Sequence, residues 1–160
     1  MIIRRATEAD WETLREIRLA SLRDAPTAFG VSHASAAADS DSQWRERASG
    51  RGRAEFLLAF VDGAAVGMVG GALSAKSEFN LIAMWVRPEH RGTAAASLLV
   101  EAIKERAAAR GHARVVLQVA PDNFRAAAFH QRQGFVFLPD WEALASHPEI
   151  SVQKMAWPPD

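Results

Sequence analysis

The sequence predicts one α/β domain over residues 1–160, with a mixed, largely antiparallel sheet of about seven strands flanked by about four helices. The first observation is the length of 160 residues, of which 49% are hydrophobic, enough for one substantial core. The second is the order of the predicted elements, β α α β β β α β α β β. The third is Asp62-Gly63 between two apolar runs, which is typical of a two-residue hairpin turn.

The strands are predicted from short apolar runs bounded by Gly, Pro or polar residues. The first half of the hairpin lacks polar alternation, as expected for a strand covered on both faces, and Pro88 ends the strand that follows the hairpin. A polar excursion over 139–148 resembles a surface lid more than a linker. In chain order, the predicted strands are 2–3, 56–61, 65–73, 79–86, 115–119, 135–138 and 150–157.

The helices are predicted from caps and from apolar residues at helical spacing. Thr7, with Asp10 three residues later, predicts a capping box before the first helix, which Pro26 ends. The third helix has apolar residues at i, i+3, i+4, i+7 and i+8, and Gly111 is its expected C-cap. A small and polar loop is expected over 25–40. In chain order, the predicted helices run from 7 to 26, from a cap at 40 or 41 to about 50, over 93–110 and over 123–133.

Charge and composition exclude several classes of protein. The 19 basic and 19 acidic residues cancel, so neither nucleic acid nor a membrane surface is expected as a partner. The lack of cysteine removes disulfides and thiolate nucleophiles, and the five histidines form no HExxH-like pair, so no metal site is expected. No apolar run approaches the roughly 20 residues of a membrane span, and no apolar signal segment is visible at the N-terminus. The expected location is cytoplasmic.

The stretch over 81–99 is predicted to bind phosphate. A strand leads into a tight turn of small residues, and a helix begins directly from that turn. Backbone N–H groups of such a turn can approach an anion closely, and the helix N-terminus adds a partial positive charge. The arrangement suits a pyrophosphate, with an ordinary strand–helix connection as the alternative. No GK[ST] follows the turn, which sets aside a nucleotide-binding P-loop.

This stretch also resembles the hallmark motif of the GNAT acyltransferases: Arg or Gln, two residues, Gly, one residue, then Gly or Ala. The motif is carried here by Arg91, Gly92, Thr93, Ala94, Ala95 and Ala96, preceded by the family's Trp-Val-x-Pro. The resemblance implies that the cofactor is acetyl-CoA (coenzyme A), with its diphosphate on the amides of this loop and the Ser97 hydroxyl at the rim. The backbone of Met84, Trp85 and Val86 would pair with the pantetheine arm. Ala94 departs from the motif, because its methyl group restricts φ where the family usually has glycine.

A second block resembles the family's C-terminal pattern of Asn, Ala three residues later, Tyr seven residues later, then Gly-Phe. Its members here are Asn123, Ala126, His130, Gly134 and Phe135. The Asn of relatives holds the cofactor, which implies that role for Asn123. The resemblance, which covers nearly the whole chain, implies transfer of an acetyl group to a primary amine of a small molecule or of a peptide or protein N-terminus. The amine would attack directly in a ternary complex, and an N–H of Trp85 or Val86 would stabilise the oxyanion. A homodimer is an open alternative for the assembly.

His130 stands where relatives have a tyrosine acid, and the chain has no tyrosine. Its imidazolium could protonate the departing thiolate, in which case kcat falls as the pH rises through the histidine pKa; simple packing is the alternative. Glu78, at the start of the cofactor strand, could act as the base through a water, or be an ordinary surface glutamate. Weaker candidates are His33, in the loop expected to flank the acceptor, and Asp122, which otherwise caps the next helix.

A non-catalytic acyl-CoA-binding sensor or scaffold with a degenerate active site is the alternative function. It is motivated by Ala94 and by the missing tyrosine. Release of free thiol from acetyl-CoA in the presence of amines distinguishes the two, because a sensor binds the cofactor without turning it over.

Overall fold

In the computed structural model, which describes residues 1–159, one seven-stranded sheet carries helices on both faces. The strands are β1 (Ile2–Arg5), β2 (Ala54–Val61), β3 (Ala64–Leu73), β4 (Phe79–Val86), β5 (Val115–Val119), β6 (Val136–Leu144) and β7 (His147–Trp157). The helices are α1 (Trp11–Asp24), α2 (His33–Ala37), α3 (Asp41–Ser49), α4 (Ala95–Ala109) and α5 (Phe124–Arg132). None of these helices is long and apolar enough to cross a membrane. The predicted fold class is confirmed, with one more helix than expected.

The strands lie in the order β1-β2-β3-β4-β5-β7-β6. All neighbours are antiparallel except β4 and β5, which run parallel because the chain crosses the sheet through α4 between them. The predicted hairpin turn joins β2 to β3, with φ of 50° at Asp62 and 81° at Gly63. Positive φ at both turn residues matches the right-handed twist of the two strands.

Each face of the sheet has its own helices and its own apolar core. On one face, here called the α4 face, α4 packs over β2, β3 and β4 with Leu99 in its core, and Phe129 of α5 packs against the same core. On the other, here called the α1 face, α1 and α3 pack with Leu14 and Trp44 buried between helices and sheet. Because side chains alternate along a strand, the position of a residue in the strand determines which of the two cores it packs into.

Local hydrogen bonds fix the helix ends where the sequence places caps. The Asp10 carboxylate accepts a hydrogen bond from the N–H of Thr7 at 2.7 Å, which confirms the capping box. The capping box begins a short 3-10 turn that leads into α1. At α3 the cap is Ser40, whose Oγ accepts the N–H of Gln43 at 3.1 Å. The helix ends at Gly50, where φ is 72°.

The loop expected over 25–40 contains the short helix α2, so that prediction is wrong in part. Ser32 caps α2 by accepting the N–H of Ser35 at 3.1 Å. Three of its five residues are alanine, the strongest helix former, and this composition outweighs the polar, loop-like character of the segment.

The surface lid expected over 139–148 is also wrong, because β6 continues to Leu144 and turns directly into β7. Pro139 lies within β6, where the register against β7 shifts between Phe137 and Trp141. β6 is the last strand of the sheet, and an edge strand tolerates the missing N–H of proline. At the turn of this hairpin, Ser146 Oγ donates to the carbonyl of Phe29 at 2.7 Å.

Candidate active site

β4 and β5 are paired over only two residues and then separate. The pairs are Phe79–Val115 and Asn80–Val116, with none beyond them in the part of the chain that the structure describes. We call residues 79–80 the closed half of β4 and residues 81–86 the open half. The open half pairs with β3 alone, so backbone groups on its β5 side are available to a ligand that lies in the gap.

A β-bulge lies within the open half. Two residues, Ala83 and Met84, stand opposite Val69 alone on β3. Ala83 has a φ of 54°, a left-handed conformation that costs about 1–2 kcal/mol for a residue with a Cβ. The extra residue shifts the alternation, so that Leu81 faces the α4 face whereas Trp85 faces the α1 face. The bulge therefore directs the second part of the open half differently from the first.

Half-buried apolar side chains from the elements next to the gap pack on the α4 face. Met84 of β4, Ala96 of α4, and Ala126 and Phe129 of α5 each pack against the core of this face. β4 and α4 lie on one side of the gap, and α5, which follows β5 in the chain, lies on the other. These walls suit an alkyl chain better than a charged group.

The turn between β4 and α4 places backbone N–H groups at a helix N-terminus. Gly92 has a φ of 79°, which explains why this position is glycine. Thr93 Oγ1 donates to the carbonyl of His90 at 2.6 Å and closes the turn. The N–H groups of Ala96 and Ser97 lie in the first turn of α4, where no helical carbonyl reaches them. The strand, turn and helix N-terminus follow one another as the sequence predicts, and this geometry suits an anion.

Ala94, the departure from the family motif, has a φ of −74° and is the N-cap of α4. Any residue adopts this conformation, so the expected conformational restriction at this position is wrong. Ser97, at the predicted rim, has its Oγ 3.3 Å from Nε2 of Gln133, which donates to it. Its hydroxyl proton is left to donate elsewhere.

Asp24, at the end of α1, is a site residue that the sequence does not reveal. Its Oδ2 accepts from Nε1 of Trp85 at 2.9 Å and from Nη2 of Arg91 at 2.7 Å. The Trp85 indole and the Arg91 guanidinium hold the pKa of this carboxyl below its usual value. Arg91 Nε also donates to the carbonyl of Val86 at 3.1 Å. Asp24 and Arg91 are 67 residues apart in the chain, so no local pattern could indicate their contact.

His130 lies on α5 with only 7% of its surface exposed. Its ring packs edge-on against Phe129 and Phe135, with centroids 5.2 and 5.8 Å away. Its Nδ1 is buried and has no hydrogen-bond partner within residues 1–159. Burial lowers its pKa from 6.5 to about 4, so the imidazole is neutral at pH 7. The low pKa disfavours an imidazolium acid at neutral pH, and a neutral N–H is what this ring can donate.

Glu78 is engaged by a lysine of β7. Its two carboxylate oxygens accept from Nζ of Lys154 at 2.7 and 2.8 Å. Lys154 precedes Met155, which belongs to the core of the α4 face, so the lysine alternates onto the α1 face. His130 instead packs against Phe135 of the α4 face. The structure thus places Glu78 and His130 on opposite faces of the sheet.

The remaining predicted residues make local contacts. Asn123 Oδ1 accepts the N–H of Ala126 at 3.4 Å, so the cap of α5 is Asn123 and not Asp122. His33 begins α2, where its Nε2 accepts from Nε of Arg23 at 3.1 Å. No hydrogen bond joins His33 or Asp122 to the open half of β4 within the residues described.

The sheet splits between two parallel strands beside a helix N-terminus. The sequence also matches the model of a known protein family. The model of the Acetyltransferase (GNAT) family matches residues 11–135. This chain belongs to the GNAT family. No protein of curated function is significantly similar to it in sequence.

Solved structures of GNAT proteins share the fold over almost the whole chain. A GNAT acetyltransferase from Streptococcus pneumoniae superposes with a TM-score of 0.77 at 23% identity, covering 97% of this chain and 96% of that one. Ribosomal-protein-alanine N-acetyltransferase from Brucella melitensis gives 0.72 at 22% identity, covering 98% of both chains. The Salmonella typhimurium protein yncA, solved with its cofactor acetyl-CoA, gives 0.76 at 19% identity, covering 100% of this chain and 94% of that one.

Proposed function

We propose that this GNAT protein transfers an acetyl group from acetyl-CoA to a primary amine, by direct attack in a ternary complex. The amine belongs to a small molecule or to the N-terminus of a peptide or protein. The observation that carries the proposal is the open half of β4, an unpaired strand edge that ends beside the free N–H groups of α4. An extended arm with an anionic end fits this combination of edge and helix N-terminus.

The residues of the gap divide the binding of acetyl-CoA between them. Met84, Trp85 and Val86 offer backbone groups to the pantetheine arm, as an added strand would use them. The loop 91–97 receives the diphosphate on those of its amides that have no partner in the protein, with the Ser97 hydroxyl at the rim and Asn123 on the α5 side. The thioester supplies the activated acetyl group, and an N–H of Trp85 or Val86 stabilises the negative charge that develops on its oxygen.

His130 donates the proton that the departing thiolate requires. A buried nitrogen without a partner is rare in folded proteins, and a bound sulfur would complete the hydrogen bonding of Nδ1 or Nε2. As the new C–N bond forms and the C–S bond breaks, the amine loses a proton to solvent, and the neutral imidazole gives its N–H proton to sulfur while its other nitrogen takes one from solvent, so that no imidazolate forms. The low pKa keeps the ring neutral between turnovers.

The acceptor amine must be neutral when it attacks. A lysine amine, with a pKa of about 10.4, costs roughly 4–5 kcal/mol to deprotonate at pH 7, whereas an α-amine near 7.8 costs about 1 kcal/mol. Glu78 lies on the face of the sheet opposite His130, so the proposed base and the proposed proton donor are separate groups. Because Lys154 engages both of its oxygens, Glu78 would act through a water, and an α-amine needs this help least.

The proposal is tested by calorimetry with acetyl-CoA on three variants of α4. In Ala96→Glu a carboxylate faces the diphosphate, and acetyl-CoA affinity should fall by about tenfold or more through charge repulsion at short range. Ala96→Gln has the same shape without the charge and should lose much less. Ala108→Glu adds the same charge at an exposed position roughly 18 Å along the helix and should bind as the wild type does. Equal affinity in all three variants means that the diphosphate lies elsewhere.

Thiol release during incubation with a panel of amines tests the reaction itself. A transferase releases one coenzyme A thiol for each amine acetylated, which mass spectrometry of the amine confirms. Tight acetyl-CoA binding without thiol release from any amine supports the sensor or scaffold instead.

A further inference from the structure

The carboxylate of Asp24 joins three parts of the molecule that the chain keeps far apart. It lies at the end of α1 and accepts hydrogen bonds from Trp85 in the open half of β4 and from Arg91 in the loop before α4. Arg91 in turn holds the carbonyl of Val86, the last residue of β4. Removing the carboxylate would release Arg91 and leave the indole N–H of Trp85, whose residue is 7% exposed, without an acceptor.

The loop that follows Asp24 is held at a second point. Residues 25–32 connect α1 to α2, and the carbonyl of Phe29 in this loop accepts from Ser146 of the β6–β7 hairpin. Ala145 and Leu144 of the same hairpin lie within 4.0 Å of the position that a Cβ on Gly30 would take. Asp24 is therefore the attachment of this loop to the open half, and Ser146 is its attachment to the far end of the sheet.

A second ion pair of the same construction provides a comparison. Glu16 of α1 accepts from Nη2 of Arg87 at 2.6 Å, and Arg87 Nε donates to the carbonyl of Ala65 at 2.9 Å. Both pairs tie α1 to an arginine that follows β4, and both arginines use Nε to hold a strand carbonyl. The Glu16 pair reaches a carbonyl of β3, whereas the Asp24 pair reaches the open half itself. A variant of Glu16 therefore measures how much the loss of an ion pair to α1, away from the open half, affects catalysis.

We propose that Asp24 is a positioning residue for acetyl transfer: through Trp85 and Arg91 it fixes the end of the open half against the loop 25–32. This inference rests on the proposed function, because the open half is where the thioester would lie. The proposal places the amine on the side of the loop 25–32, which begins directly after Asp24. Loss of Asp24 shifts the amine relative to the thioester without removing any group that touches acetyl-CoA, so catalysis changes more than cofactor affinity.

Asp24→Asn tests this directly, since the amide oxygen still accepts from Trp85 while the charge that holds Arg91 is gone. We expect kcat/KM for the amine to fall by about tenfold, with the Kd for acetyl-CoA within about twofold of wild type. Glu16→Gln is the matched control and should keep kcat/KM within about twofold. Equal losses in the two variants, or a loss in acetyl-CoA affinity as large as that in kcat/KM, would overturn the proposal.

A double-mutant cycle shows whether Asp24 acts through Arg91. In an Arg91→Gln background, Asp24→Asn should cause little further loss, because its partner is already gone; additive losses contradict the proposal. Hydrogen exchange of the backbone amides of residues 25–32 gives a measurement that needs no amine. Addition of acetyl-CoA should slow this exchange in wild type and in Glu16→Gln but not in Asp24→Asn. Slowing in all three overturns the coupling. A wild type that binds acetyl-CoA and acetylates no amine counts against the proposed function alone, and the exchange result then decides on Asp24.

Discussion

The closed and the open half of β4 belong to one strand but differ in their strand neighbours and surroundings. The closed half has a hydrogen-bonded neighbour on each side, and the Glu78–Lys154 pair adjoins it. The open half has one neighbour, a bulge at Ala83 and a helix N-terminus beyond its end. An unpaired strand edge inside a sheet leaves polar groups without partners, which is unfavourable unless a ligand or water serves them. The difference shows how one strand can hold the fold at one end and bind at the other.

The largest expected effect comes from the α5 side of the open half. In His130→Phe the ring keeps its approximate size and loses its N–H, so kcat should fall by about 100-fold while acetyl-CoA affinity stays within about twofold. His130→Tyr restores a proton donor and should recover part of kcat. Steady-state kinetics and calorimetry measure the two quantities. Full turnover by the phenylalanine variant would show that His130 only packs and that solvent protonates the thiolate.

The same residue should make the stability of the protein depend on pH. Because the pKa of His130 is about 4 in the fold and near 6.5 in the unfolded chain, the unfolded chain takes up the proton first as the pH falls. This stability is fully present above pH 6.5 and is lost as the pH falls toward 4. Between pH 7 and pH 4.5, His130→Phe should lose about 2–3 kcal/mol less unfolding free energy than wild type in urea titrations. Parallel curves for the two proteins contradict a buried neutral histidine.

Substitutions at two adjacent glycines of β3 test the closed and the open half of β4 separately. A Cβ on Gly71 would lie 2.5 Å from Cζ of Phe79 in the closed half, and one on Gly70 would lie 2.8 Å from Cγ1 of Ile82 beside the bulge. Each alanine substitution should reduce the free energy of unfolding by about 1–3 kcal/mol through overpacking. We expect Gly70→Ala also to raise the KM for acetyl-CoA, since it displaces the open half, and Gly71→Ala to leave KM unchanged. Equal KM values would mean that the bulge does not shape the site.

A smaller effect is expected from Glu78→Gln at the closed half. The Glu78 and Lys154 side chains are 33% and 15% exposed, so the pair should contribute about 1 kcal/mol to stability. Acetyl-CoA affinity should not change. If Glu78 is the base, kcat should fall more for a lysine-like amine than for an α-amine, because the former needs more help to lose its proton. A uniform decrease across amines would leave Glu78 with a structural role only.

Ala94→Gly should have the smallest effect. The φ of −74° at Ala94 is open to any residue, so glycine relieves no strain, and acetyl-CoA affinity should stay within about twofold of wild type. Calorimetry under the conditions used for Ala96→Glu measures it. A large gain in affinity would show that the methyl group itself crowds the diphosphate.

Local patterns predicted most of the fold, including the turn of small residues before α4. The hairpin at Asp62, the cap at Thr7 and the small residues before α4 each act over a few neighbouring positions, so a short segment contains the whole signal. The bulge at Ala83 and the contacts of Asp24 depend on strands and helices that meet across the sheet. For the bulge a trace exists, because the glycine pair in β3 permits close approach of side chains from its neighbours. For the burial of His130 there is none: its solvation is set by Phe135 and the packing around it.

The contact between Ser146 and Phe29 can form only late in the synthesis of the chain. The two residues are 117 positions apart, and the turn between β4 and α4 lies between them in the chain. β6 can pair only after β7 has been made, because β7 lies between β6 and β5 in the sheet. At about 5–20 residues per second, a ribosome therefore makes the turn before α4 several seconds before the strand that closes the sheet. If the turn before α4 binds acetyl-CoA as proposed, a nascent chain exposes that part of the site before β6 and β7 complete the sheet.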